Sequence, residues 1–505
     1  MKAGRETETK LAAWAGFALP ELTGVLDGVT AKPFPERVLD ATYYDTADLR
    51  LARWGASLRY RTGDGTGWTV KLADGKPADG EDGSALVRRE ITFPAQAAGP
   101  VPAEAGNLVR AYTRTAPLVA SARLRTRRRG VELLDAEGRR LAEVVDDEVS
   151  VFEGRHLASR FRELEVEVDP GADPALMAAV VAALVDAGAG DAEPIPKVVR
   201  ALGARARQPP ELVAQPLPDD ATAADVVRAA ITASVIRILR HDAGVRIGDD
   251  PEDVHQARVG TRRLRSDLKT FRSLLDPEWL EEMRAELRWL GGALGTVRDA
   301  DVLLERLRRQ VASLAEADAP GAATLVRRLA HQREAGRAEL LEAMAGPRYV
   351  ELLDRLVDAA QAPPLLPEAD QKATTILPGL VRKPWKKLAR SVAALGDPPV
   401  DEELHNVRIQ AKACRYAVEA VAPVMGQPAT VMAKAVAEVQ GVLGDHQDAV
   451  VAEGWLREAA EAADVSQLVA GELIALERVE ADVSRREWWY AWRQAREPRL
   501  RKWLK

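Results

Sequence analysis

Arg5-Glu6-Thr7-Glu8-Thr9-Lys10 reads as a β-strand that puts Glu6, Glu8 and Lys10 on one face. Successive strand side chains point to opposite sides, and alternate ones sit roughly 6.6 Å apart. Taken alone, the run is an ordinary polar edge. The same period of two returns at Arg59 and Arg61, Lys71, Arg88 and Glu90, Arg125 and Arg127, Glu143 and Asp147, and Glu163, Glu165 and Glu167. Charge on the inner face of a β structure costs free energy unless a ligand or counter-charge answers it, so a barrel lumen lined with both signs is a site. Carboxylates suit hard divalent cations, and Arg and Lys suit phosphate oxygens. Together they describe a metal–polyphosphate cradle.

At 505 residues the chain exceeds what one core usually serves, so two or three domains are expected. A hydrophobic share of 47% and a charged share of 29% fit a soluble globular protein. The formal net charge of −6 would argue against a general nucleic-acid binder if the charges were evenly mixed, and they are not. Cys414 is the single cysteine, and its apolar helical surroundings suit a small core residue. No apolar run approaches the roughly 20 residues of a membrane span, and the first strand begins too near Met1 for a signal peptide. A cytoplasmic protein is expected.

Residues 1–170 read as strands separated by polar turns. GDGTG divides SLRYR from WTVKL as a hairpin. The Gly/Pro-rich stretches 74–85 and 94–106 carry no helix or strand signal. On ARLRTRRRGVELL, Arg123, Arg125, Arg127 and Arg129 share one face, opposite Leu124 and Thr126, and Arg128 is expected to be solvated. FRELEVEV puts Glu163, Glu165 and Glu167 in phase, with Leu164, Val166 and Val168 facing a packed layer. The spacing does not choose which of the three glutamates meets a metal. Asp173-Pro174 opens an Ala-rich helix.

This half resembles the CYTH family of triphosphate tunnel metalloenzymes, whose mark is E-x-E-x-K near the start of the chain. The likeness covers about residues 1–203, through ETETK, SLRYRTGDGTGWTVKL, RREI, ARLRTRR, AEVVDDEV, FRELEVEV and PKVVRAL. It implies an antiparallel β-barrel tunnel in which Glu6, Glu8, Asp147, Glu163, Glu165 and Glu167 hold Mg²⁺ or Mn²⁺. It implies that Lys10, Arg59, Arg61, Lys71, Arg88, Arg125, Arg127 and Lys197 cradle the phosphates, with Glu6, Glu8, Lys10, Asp147 and Glu165 closest to the chemistry. Asp147 resembles the family's Asp before a turn. Lys197 and Arg200 match the closing K-x-x-R-A, although Pro196 stands where a Ser is common.

A Pro-rich linker, 204–217, follows, and beyond it the period changes from 2 to 3.6. Residues 218–505 then read as all-α and internally duplicated, over about 222–345 and 371–497. His255, Arg258, Arg262 and Arg265 recur 150 residues later as His405, Arg408, Lys412 and Arg415. Gly292, Leu294, Gly295, Asp299 and Val302 recur at an offset of 149 as Gly441, Leu443, Gly444, Asp448 and Val451. Each basic set falls within a helical arc of about 80° and runs for roughly 15 Å. A solvated basic face normally carries Glu at i+4, and neither stripe contains an acid. Arg237, Arg240, Lys383, Lys386 and Lys387 extend the positive field. The paired glycines are read as allowing close helix packing. No second His or carboxylate at i+4 of either His forms a metal pair, so phosphate contact ranks above metal ligation. The stretch resembles the CHAD domain, which implies binding of inorganic polyphosphate.

The fold class expected for the whole chain is α+β. The expected function is divalent-metal-dependent hydrolysis of inorganic triphosphate or a related triphosphate, beside a polyphosphate-binding helical domain. Adenylyl cyclase or thiamine triphosphatase activity is the alternative within enzymes, and a non-catalytic polyphosphate-binding or targeting protein is the alternative outside them. Nucleic acid ranks third: Trp488, Trp492 and Trp503 in the basic tail read as packing residues among snorkelling arginines.

Overall fold

A computed structural model describes residues 2–73, 85–94 and 99–504. The chain divides into two compact units, Met1–Glu211 and Leu212–Lys505. Its fold class is α+β.

The first unit is a closed antiparallel barrel of eight strands: β1 (Lys2–Ala12), β2 (Thr30–Asp45), β3 (Ser57–Thr62), β4 (Gly67–Ala73), β5 (Ala85–Pro94), β6 (Val119–Leu134), β7 (Arg140–Glu153) and β8 (His156–Val168). Their order around the barrel is β1-β5-β4-β3-β2-β6-β7-β8. Closure removes the exposed edge that a polar strand such as β1 would otherwise present. At the β3–β4 hairpin Gly63 has φ +117° and Gly65 has φ +118°, and a Cβ on Gly63 would fall 2.2 Å from the Val38 carbonyl oxygen. Only glycine meets both demands.

Short helices α1 (Arg50–Arg53), α2 (Ala103–Leu108) and α3 (Arg110–Thr113) interrupt the strands, and α4 (Pro174–Asp186) and α5 (Lys197–Leu202) follow them. Most of the connection at 74–85 and part of that at 94–106 lie outside the described residues. The described end of the second contains α2, where no helix was expected. The Asp173 carboxylate caps α4 by accepting from the Ala175 N–H at 2.8 Å. Leu176, Val180 and Leu184 of α4 cover Leu11, Val144, Leu164 and Val166 on the outer face of β1, β7 and β8. This is the packed layer that the alternation of FRELEVEV calls for, and it turns the glutamates of β8 inward. Each such side chain contributes about 1.5–3 kcal/mol on burial.

The second unit is helical: α6 (Ala223–Ile247), α7 (Pro251–Thr270), α8 (Pro277–Val311), α9 (Ala319–Ala345), α10 (Pro347–Gln361), α11 (Ala373–Ala393), α12 (Asp401–Met425), α13 (Gln427–Ala459) and α14 (Gln467–Ala495). Thr222 and Asp225 form a capping box on α6, and Asp250 and Asp276 cap α7 and α8, each just before a proline. Cys414 is fully buried, and burial pushes its thiol up to about 12. Trp488 and Trp492 are buried, and Trp492 stacks on Trp385 with ring centres 5.6 Å apart. Among the described residues no helix is long and apolar enough to cross a membrane.

Candidate functional site

Strand register brings the charged residues of the barrel together. On β1, Glu6 lies opposite Arg88 of β5, while Glu8 and Lys10 lie opposite Glu167 and Glu165 of β8. Lys71 of β4 faces Glu90, and Arg128 of β6 faces Asp147 of β7. Pro196 opens α5 and sends Lys197 into the same space. A cavity of about 150 Å³ results, lined by Glu6, Glu8, Lys10, Arg59, Arg61, Lys71, Arg88, Glu90, Glu143, Glu165, Glu167 and Lys197 as anticipated, and also by Tyr43 and Arg128.

The pairs inside are close. Lys71 Nζ donates to both Glu6 oxygens, at 2.5 and 2.7 Å, and lies 2.9 Å from Glu90. Arg88 donates to Glu8, and Lys10 donates to Glu165 and lies 3.3 Å from Glu8. Burial raises the Glu8 carboxyl, but Lys10, Lys71 and Arg88 outweigh it and hold it down to about 2. Glu90 is likewise held to about 2 against burial, by Lys71 and Arg59.

Two surpluses remain. Burial, reinforced by Glu6, Glu90 and Glu143, pushes Glu167 up to about 7, and no base lies within ion-pair distance of it among the described residues. Arg59 crowds Arg61 and, with burial, brings that guanidinium down to about 10 even though Asp64 lies 3.1 Å from it, while Arg59 Nε is buried without a hydrogen-bond partner. The lumen therefore has room for one more cation beside Glu6, Glu143 and Glu167, and for an anion beside Arg59 and Arg61. Among the described residues no three Asp, Glu, His or Cys side chains already converge as a metal cage. The donor set itself, carboxylate oxygens repelling one another, fits a hard divalent ion.

Several expectations are corrected. Arg125 and Arg127 point away from the lumen. More than half of each side chain is exposed, with Arg125 on Asp40 at 3.0 Å and Arg127 on Glu36 at 3.3 Å. Arg128, expected in solvent, is the tunnel arginine of β6, donating to Asp147 at 2.9 and 2.7 Å and to Glu165 at 2.9 Å. The reason is that one stretch of the inner barrel face is apolar. Leu124 packs with Ala41, Tyr43, Val149, Val198 and Val199, and strand parity carries Arg128 inward with Leu124. Asp147 lies in the middle of β7 rather than before a turn. Asp147 and Glu163 are fully buried and do not line the cavity. Asp147 is bound by Arg128 and Lys197, and Glu163 sits 3.4 Å from both Lys197 and Arg200. Sequence reasoning missed Tyr43, whose hydroxyl accepts from Arg59 at 3.4 Å; one of two adjacent tyrosines in Thr42-Tyr43-Tyr44-Asp45 carries no mark of which ring turns into the lumen.

In the helical unit α7 and α12 bring their two basic stripes together. Lys412 is pushed down to about 7, first by burial and then by Arg262, Arg408, Arg258 and Arg265. Arg262, Arg263 and Arg415 surround the Tyr416 ring at 5.5–5.8 Å. Acids on flanking positions pair two stripe members, Arg258 with Asp299 at 2.7 Å and Arg415 with Glu419 at 2.6 Å. For Arg262, Arg265, Arg408 and Lys412 no carboxylate lies within ion-pair distance among the described residues. Arg262 Nε and Arg408 Nε are buried without hydrogen-bond partners. His255 stands beside Arg298, Arg262 and Arg258, with its pKa lowered by burial and then by Arg298. His405 meets Gln447.

Arg284, Arg288 and Lys269, not anticipated, extend the positive cluster from Arg265 towards Lys387. Arg237, Arg240, Lys383 and Lys386 are exposed, and Arg237 donates to Gln256 at 3.2 Å. The repeated glycines do not serve close helix packing. A Cβ on Gly292 or Gly441 would meet nothing within 4 Å, and one on Gly295 or Gly444 would meet only the Arg258 or Arg408 side chain, at 3.8 Å or more.

Comparison with known proteins follows the same division. The sequence matches the CYTH domain over residues 4–184 and the CHAD domain over residues 229–457. It is 33% identical over 506 residues to the uncharacterized proteins MT2285 and Rv2226 of Mycobacterium tuberculosis, covering 95% of this chain and 94% of theirs. Among solved structures, PptA from Streptomyces chartreusis is 26% identical, with a TM-score of 0.47, over 54% of this chain and 100% of its own. The CHAD domain from the plant Ricinus communis is also 26% identical with a TM-score of 0.47, over 56% of this chain and 94% of its own.

Proposed function

Because this chain belongs to the family of proteins that join a CYTH domain to a CHAD domain, we propose that its barrel hydrolyses inorganic triphosphate or a related triphosphate. Mg²⁺ or Mn²⁺ would assist, and the helical unit would bind inorganic polyphosphate. The observation that carries the reading is the pair of opposite surpluses in one lumen, a carboxylate without a base at Glu167 and, among the described residues, a guanidinium without an acid within ion-pair distance at Arg59, which crowds Arg61 although Asp64 answers that second charge. A pure anion binder gains nothing from the first, and a cation binder gains nothing from the second.

Glu6, Glu143 and Glu167 would hold the cation, which when bound neutralises phosphate oxygens and lowers the pKa of a bound water. Arg59, Arg61, Lys71 and Arg88 would grip the non-bridging oxygens and fix the terminal phosphorus for in-line attack by water. Lys10, buried, and Lys197, with only about a tenth of its side chain exposed, would face the charge that gathers on the leaving diphosphate as the P–O–P bond breaks. Among the described lining residues there is no Ser–His or Cys–His pair, and attack by water needs none.

Phosphate release from tripolyphosphate, ATP, thiamine triphosphate and long-chain polyphosphate, each with Mg²⁺ or Mn²⁺, tests the assignment. Tripolyphosphate turnover abolished by chelation supports it, and no turnover of any of the four rejects it. A second expectation separates the two faces of β6. Arg128→Ala should lower kcat/KM by roughly tenfold to a hundredfold, the scale of a lost charge-assisted hydrogen bond, whereas Arg125→Ala and Arg127→Ala should leave kinetics unchanged. The reverse pattern would place the outer arginines at the substrate.

A further inference from the structure

The glycines shared by the two basic halves of the helical unit sit where nothing in the protein requires them. A glycine inside a helix costs about 1 kcal/mol against alanine and is usually kept where another backbone comes close. Gly260 is such a case, since a Cβ there would lie 3.1 Å from the Ser234 carbonyl oxygen. Gly292 of α8 and Gly441 of α13 face open space.

What they share is their address. On α8, Arg284, Arg288, Gly292, Gly295 and Asp299 fall within an arc of about 80°, and that arc faces the stripe of α7, with Arg258 resting on Gly295 and bonded to Asp299. On α13, Ala433, Ala437, Gly441, Gly444 and Asp448 occupy the same relative positions, with Arg408 resting on Gly444. A Cβ on Gly295 or Gly444 would stand at ordinary contact distance from that arginine, which therefore does not itself require glycine there. One turn earlier, Gly292 and Gly441 leave the wall bare beside it. The buried Nε atoms of Arg262 and Arg408, without partners, belong to the same two stripes.

We propose that Gly292 and Gly441 are specificity-determining positions of the anion site, kept without a side chain so that a phosphate chain can lie against α8 and α13 and reach the arginine stripes. The inference rests on the polyphosphate reading above. It adds that the site admits an unbranched chain of tetrahedral phosphates by leaving room, and that a side chain at either glycine would occupy the ligand's place.

The test uses the full-length protein and sodium polyphosphate of defined length, titrated at low and moderate salt, with thermal unfolding measured in parallel. Gly292→Ala and Gly441→Ala should each raise the unfolding temperature, by roughly 2–4 °C on the helix-propensity scale, and yet weaken binding. Gly292→Leu and Gly441→Leu should weaken it further, by about tenfold or more, the scale of one lost phosphate contact. A variant that is more stable and binds less well cannot be explained by damage to the fold. Wild-type affinity in all four variants overturns the inference and leaves the polyphosphate reading intact, and if a leucine variant fails to fold, its alanine counterpart still decides. Absence of binding by the wild-type protein rejects the polyphosphate reading and this inference with it.

Discussion

Glu167→Gln is expected to remove metal-dependent phosphate release while making the metal-free protein more stable at pH 8. Glu167 is pushed up to about 7 from an ordinary 4.5, first by burial and then by Glu6. Between pH 4.5 and 7 the folded chain therefore keeps a proton that the unfolded chain has released. Stability falls as pH rises through that window, and the full penalty persists above it. At 1.36 kcal/mol per pKa unit the penalty is about 3 kcal/mol, an upper figure for a group that is not wholly buried. Glutamine keeps the shape and removes the charge, so the variant should gain most of this at pH 8 and nothing at pH 4. Because no base depends on Glu167, the substitution strands no cation. Glu8→Gln would be a poorer test, since it leaves Arg88 and Lys10 buried and short of a partner. The loss of turnover should reach the order of 10³-fold, the equivalent of several kcal/mol of charge stabilisation. Unfolding curves in chelator at pH 4 and pH 8, with phosphate release at saturating Mg²⁺ or Mn²⁺, decide the matter. Unimpaired metal-dependent turnover in Glu167→Gln would remove this end of the tunnel from the cation site.

The second large effect lies in the helical unit. Arg262→Ala with Arg408→Ala should lower polyphosphate affinity by about 10²–10⁴-fold, since each arginine has a buried donor without a partner and a charge-assisted contact is worth about 1.5–3 kcal/mol. The slope of log affinity against log salt should become shallower by about two charges, because fewer counter-ions are released. Lys412 adds a pH dependence of definite sign. Its amine is pushed down to about 7 by burial and the cations around it, and a bound polyanion would draw its proton back. Binding then takes up as much as one proton, so affinity should be greatest below pH 7 and weaken as pH rises above it, by no more than about tenfold per unit. Titrations at pH 6, 7 and 8 at constant ionic strength read this directly. An affinity independent of both pH and the two arginines would leave the cluster without a ligand of this kind.

Much of this was legible in the order of residues. The alternation of ETETK and FRELEVEV is local: a strand has only two faces, and Leu164 and Val166 need an apolar layer, so Glu163, Glu165 and Glu167 turn the other way whatever the remaining strands do. The repeat that pairs His255, Arg258, Arg262 and Arg265 with His405, Arg408, Lys412 and Arg415 was equally plain, because helical spacing alone puts each set on one stripe. Other features depended on what lies across the barrel or the bundle. The face of β6 that turns inward was decided by the apolar packing of Leu124 with Val149, Val198 and Val199, and a run of arginines on both faces carries no trace of that choice. The burial of Asp147 and Glu163 beneath the cavity comes from Arg128, Lys197 and Arg200, two of them on a helix that follows the last strand. The glycines of α8 and α13 read as packing glycines in one dimension, and only their neighbours in space showed that nothing packs there. Periodicity determines which residues share a face. What stands opposite that face is a long-range property of the fold, and it determines which charges are paired and which are left for a ligand.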